Sequence, residues 1–114
     1  MLQPANAGRK ENTMKYIVNA TSWNMVNPDV LVMRRKPINP ADVPADVTSA
    51  IGHKETADIV SKMVGFPVSF NRVTIRLTKE DVAYLAQYDG PRLPEGCTEL
   101  PAGARLDFFE VTFE

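Results

Sequence analysis

The sequence predicts a single mixed α/β domain, and three observations carry that expectation. The segment Lys54 to Val64 holds apolar residues at helical spacing, and several other segments hold short β-favouring runs. The length of 114 residues, with 44% hydrophobic and 24% charged, suits one globular core. The expected architecture is a mixed sheet of four or five strands with one firm central helix and short additional helical turns.

The polar stretch Met1 to Thr13 reads as a disordered extension or an upstream start before the second methionine, Met14, which leaves one domain over residues 14–114. Lys15 to Ala20 is predicted as the first strand because Tyr16, Ile17 and Val18 favour extended backbone. The polar run that follows, with Asn19, Thr21, Ser22 and Asn24, is then a loop at the strand end. Val30 to Met33 is a second short apolar run. After it Pro37, Pro40 and Pro44 each remove a backbone donor and fix φ, so Ile38 to Asp46 is expected to be loop or one short helical turn.

In the helix, Ala57, Val60, Met63 and Val64 form the apolar stripe, Lys54, Glu55, Asp58 and Lys62 fall to the outer face, and Gly65 supplies the stop. From Arg72 to Leu77 the residues alternate, with Val73, Ile75 and Leu77 opposite Arg72, Thr74 and Arg76, which predicts a half-buried strand. Thr78 to Asp81 makes the turn after it. Val82 to Tyr88 and Leu106 to Phe113 complete the strands.

Composition narrows the function. The 13 Lys and Arg against 14 Asp and Glu give a formal charge of -1, which argues against a surface that tracks long DNA or RNA. A small anion stays compatible, because a pocket needs only a few arginines and backbone N–H groups. His53 and Cys97 are the only histidine and cysteine, so one chain has no intrachain disulfide and no Cys/His zinc set, and metal-free chemistry is the expectation. No apolar run reaches the roughly 18 to 20 residues of a membrane-spanning helix, which leads to an expectation of a soluble, cytoplasmic protein with no membrane partner.

Four polar clusters are candidates for a site. Asn19 to Asn24 either satisfies turn backbone or lines a strand end. Gly52-His53 opens the helix, where unpaired N–H groups can cradle a phosphate, Gly52 admits a close approach and His53 is either a solvated cap or a proton donor. Asn71-Arg72 offers a guanidinium that pairs with phosphate or with solvent. Pro91-Arg92-Leu93-Pro94-Glu95-Gly96 is a stiff loop able to hold Arg92 and Glu95 in place, or a plain turn.

The order of these clusters is more specific than any one of them. Asn-x-x-Ser-x-Asn after the first strand, Ile-Gly-His-x-x-Thr at the helix start, Asn-Arg, and Arg-Leu-x-Glu-Gly follow one another along the chain. In that order they resemble the ring nucleases that archaeal and bacterial viruses use as anti-CRISPR proteins against type III systems. The resemblance runs from Met14 to the C-terminus; Val30 to Thr48 and the approach Tyr88-Asp89-Gly90-Pro91 depart from it.

The resemblance implies a homodimer that encloses cyclic tetra-adenylate, the small cyclic RNA made as a messenger by those systems, and cuts it without a metal or other cofactor. It implies His53 as general acid and Glu95 as the second catalytic residue, with Asn19, Ser22, Asn24, Gly52, Thr56, Arg72 and Arg92 contacting or positioning the substrate. The alternative is a sponge that holds a cyclic nucleotide signal without cutting it.

Overall fold

The computed structural model describes residues 13–114; the extension expected over residues 1–13 lies, apart from Thr13, outside the described residues. Five strands form one sheet in the order β2-β5-β4-β1-β3. They are β1 (Lys15–Val18), β2 (Met33–Ile38), β3 (Thr48–Ser49), β4 (Val82–Asp89) and β5 (Arg105–Phe113). Among the described residues one α-helix, α1 (Lys54–Val64), and two 3-10 turns, Trp23–Met25 and Pro40–Asp42, complete the elements, so the mixed α/β architecture is as expected.

Pairing divides the sheet into two halves. β4, β1 and β3 are parallel neighbours, whereas β5 runs antiparallel to both β4 and β2. Parallel pairing requires a crossover, and α1 supplies it between β3 and β4. All three parallel strands therefore end at the same edge of the sheet, the place where open α/β sheets commonly bind ligands.

Strand alternation sends side chains to two separate cores. On the α1 face, Ile17, Tyr84, Ala86, Leu106 and Phe108 meet Ala57, Val60 and Val64 of the helix. On the opposite face, Val18, Ala83, Leu85, Val111 and Phe113 meet Val26, Val30 and Leu77. Ile17 and Val60 are fully enclosed, and burying such an aliphatic side chain contributes about 1.5–3 kcal/mol. The helix ends as anticipated: Gly65 takes a left-handed φ of 86° and its N–H donates to the Ser61 carbonyl.

One local expectation needs correction, and two strands carry no clear signal in the sequence. Arg72 to Leu77 is not a strand: apart from an isolated bridge between Leu77 and Val26 it joins no ladder, and Val73 is exposed. The alternation is real but serves a segment laid across the second core, with Leu77 alone fully enclosed. β2 runs through Arg34, Arg35, Lys36 and Pro37, because an edge strand needs few apolar residues and tolerates a proline on its free side. β3 has only two residues, too few to show a period. The turn at Thr78 to Asp81 is present, closed by the Asp81 N–H on the Thr78 carbonyl (3.1 Å) and by the Thr78 N–H on the buried Asp81 carboxylate (2.9 Å).

Candidate functional site

The common edge of the parallel strands assembles the chemistry. β1 leads into Asn19, β3 leads into Ile51-Gly52-His53, and β4 leads into Gly90 and the loop after it. The chain folds back on itself there through a set of short bonds. Ser49 Oγ donates to the Ser69 carbonyl (2.7 Å), Asn71 Nδ2 to the Ser49 carbonyl (2.6 Å), and the Asn71 N–H to the Ile51 carbonyl (2.9 Å). Asn71 thus locks the next residue, Arg72, onto the helix entrance. Its Nε lies 3.6 Å from where a Cβ on Gly52 would stand.

His53 is the N-cap residue of α1, in extended backbone, and its carbonyl accepts from the Ala57 N–H at 3.0 Å. Its imidazole makes no capping bond. It stands exposed between two depressions and lines both. The first, of about 430 Å³, is walled by Asn19, Asn24, Gly52 and Arg72. The second, of about 470 Å³, is walled by Glu55, Thr56, Tyr88, Gly90 and Arg92.

Seven of the nine residues singled out in the sequence thus border these depressions: Asn19, Asn24, Gly52, His53, Thr56, Arg72 and Arg92. Thr56 does so from the first turn of α1 while being only 6% exposed. Ser22 and Glu95 border neither. Ser22 precedes the 3-10 turn at Trp23 and its carbonyl accepts from the Met25 N–H (3.0 Å), while Glu95 is exposed on the Arg92 loop.

Four residues of the second depression, Glu55, Tyr88, Gly90 and Leu93, lie outside the nine singled out in the sequence, and two of them carry polar side chains. Glu55, assigned to the outer face of the helix, turns toward the loop after β4 and accepts from the Gly96 N–H at 3.1 Å. That bond and one from its own N–H hold its carboxyl below the usual carboxylate range. Tyr88 donates its hydroxyl to the Pro91 carbonyl. Glu55 had no local signal, because Gly96 becomes its neighbour only once the chain after β4 has returned to the helix, whereas the Tyr88 bond spans only three residues and belongs to the turn itself.

Electrostatically the site is suited to an anion. Arg72 and Arg92 each line one depression together with His53, which stands at the positive end of an eleven-residue helix. Among the described residues no group of three or more His, Cys, Asp or Glu is arranged to hold a metal ion, and no helix is long and apolar enough to cross a membrane.

A small mixed sheet whose parallel strands end together at a helix-entrance histidine, with one arginine lining each of the two depressions beside it, defines the class of α/β protein to which this chain belongs. The chain belongs to the STIV B116-like family, whose model matches residues 15–102. Its fold is similar to that of B116 of Sulfolobus turreted icosahedral virus (STIV), with a TM-score of 0.71 over 87% of this chain and 98% of that one at 23% sequence identity. No curated protein matches the sequence.

Proposed function

We propose that this protein is a metal-independent ring nuclease that linearises cyclic tetra-adenylate and so switches off type III CRISPR signalling, as an anti-CRISPR protein does. The observation that carries the reading is His53, set between two depressions that are each lined by one arginine as well. The ordered motifs that resemble viral ring nucleases support it, and all of them lie inside the matched stretch.

In this reaction a ribose 2′-hydroxyl attacks the adjacent phosphorus, its proton passing to solvent. The P–O5′ bond breaks, and His53 protonates the departing 5′-oxygen. The products are linear adenylates with a 2′,3′-cyclic phosphate at one end and a 5′-hydroxyl at the other. Arg72 and Arg92 neutralise charge on the phosphoryl oxygens from opposite sides, while Asn19, Asn24 and the backbone at Gly52 orient the ring. Ser22 and Thr56 keep the positioning part, and Glu95 the second catalytic part, that the family resemblance gives them.

A twofold dimer sets one His53 beside each of two opposite scissile bonds of a four-membered ring, so one histidine per chain makes two cuts. Orientation of the 2′-oxygen in line contributes most of the acceleration, and acid assistance adds about 10² to 10⁴ in rate.

The test is incubation of the cyclic ring with the protein in EDTA, with chromatography of the products. Linear adenylates carrying cyclic phosphate ends are expected. Recovery of intact ring from a tight complex would make the protein a sponge, and absence of both binding and cleavage would remove the reading altogether.

A further inference from the structure

Arg92 sits on a loop of seven residues, Gly90 to Gly96, that projects beyond the sheet, yet a transition-state contact demands a fixed guanidinium. Three attachments hold that loop. At its start, Tyr88 grips the Pro91 carbonyl, and Gly90 passes so near β5 that a Cβ there would stand 2.6 Å from the Ala104 Cβ. In the middle, half-buried Leu93 packs against the α1-face core, next to the contacts of Cys97 and Leu100. At its end, the Gly96 N–H reaches the Glu55 carboxylate across 41 residues of sequence.

Of the three, only the last connects the loop by a hydrogen bond to the element that carries His53. Glu55 follows the helix-cap histidine by two residues and lines the same depression as His53 and Arg92. Gly96 has a φ of 79°, a left-handed conformation natural to glycine, at the point where its N–H meets the helix carboxylate. We propose that Glu55 is a positioning residue of this site: by holding the Gly96 amide it fixes the loop Gly90 to Gly96, and with it Arg92, at a set distance from His53.

The inference rests on the ring-nuclease reading for its kinetic part only, because the tie itself is measurable without substrate. Glu55 touches no reacting atom. It acts through Arg92, and it does so as a hydrogen-bond acceptor, a property that glutamine keeps and alanine lacks.

The experiment compares wild type with Glu55→Ala, Glu55→Gln, Arg92→Ala and the Glu55→Ala/Arg92→Ala pair, reading amide hydrogen exchange over residues 90–97 and single-turnover cleavage of cyclic tetra-adenylate. Glu55→Ala is expected to speed exchange at Gly96 and to slow cleavage about ten- to a hundredfold, the scale of a misplaced positioning group. Glu55→Gln should restore most of both, and the double variant should be no slower than Arg92→Ala alone.

The proposal is overturned if Glu55→Ala leaves exchange at Gly96 unchanged, if exchange rises but cleavage stays at the wild-type rate, if Glu55→Gln is as slow as the alanine variant, or if the two lesions multiply. Failure of the ring-nuclease reading looks different: wild type itself leaves the ring intact, and the proposal is then overturned in its catalytic part whatever the exchange shows.

Discussion

The two sides of the site present the same guanidinium chemistry in opposite ways. On the first side Arg72 follows directly on Asn71, whose backbone and side chain are both bonded to the β3 exit, so the arginine is set by the fold itself. On the second side Arg92 rides a projecting loop fastened by a tyrosine hydroxyl, one apolar side chain and a single carboxylate. The difference teaches that one side of the site is held by backbone bonds next to the domain core, whereas the other side depends on a few contacts of a projecting loop.

The largest effects that sharpen this comparison are kinetic. Arg72→Ala and Arg92→Ala each remove a charge-assisted contact worth about 1.5–3 kcal/mol, so each should lower kcat/KM roughly ten- to a hundredfold. They should differ in kind. Loss of the fixed Arg72 weakens ground-state binding and raises KM, while loss of Arg92 falls mainly on kcat. Steady-state kinetics of both variants check this, and identical splits would erase the distinction between the two sides.

Next in size are lesions that spare both arginines. Gly90→Ala places a methyl group against Ala104 and should cost about 1–3 kcal/mol, or displace the Arg92 loop and slow cleavage while leaving the Arg72 side intact. Thermal melting with amide exchange over residues 90–97 separates the two outcomes. Asn71→Ala removes the donor to Ser49 and should cost about 1 kcal/mol, lowering the melting midpoint by about 4–8 °C for a domain of this size. Its kinetic cost should appear in KM, as for Arg72.

How much of this was legible in the sequence follows the same division. The helix was readable to the residue, because Ala57, Val60 and Val64 repeat at its period and Gly65 stops it. β4 and β5 were readable because they alternate or stay apolar over eight and nine residues. β2 was not, since four of its six residues face solvent at the sheet edge. Arg72 to Leu77 imitated a strand because packing across a core selects the same alternation as pairing in a ladder does.

Within the site, motif order pointed to His53, Arg72 and Arg92, all of which the fold brings to one edge. Glu55 was hidden for a physical reason. Helical periodicity assigns a residue to a face of its own helix and carries no information about a loop that arrives 41 positions later.

The central claim is that His53 gives a proton to the departing 5′-oxygen. Its most direct test is single-turnover cleavage of two rings by wild type and His53→Ala: cyclic tetra-adenylate itself, and a ring whose bridging 5′-oxygens are replaced by sulfur, which leaves as a thiolate without needing an acid. The account predicts that His53→Ala loses about 10² to 10⁴ in rate on the natural ring and regains nearly wild-type speed on the sulfur ring. An equal loss on both rings would contradict it.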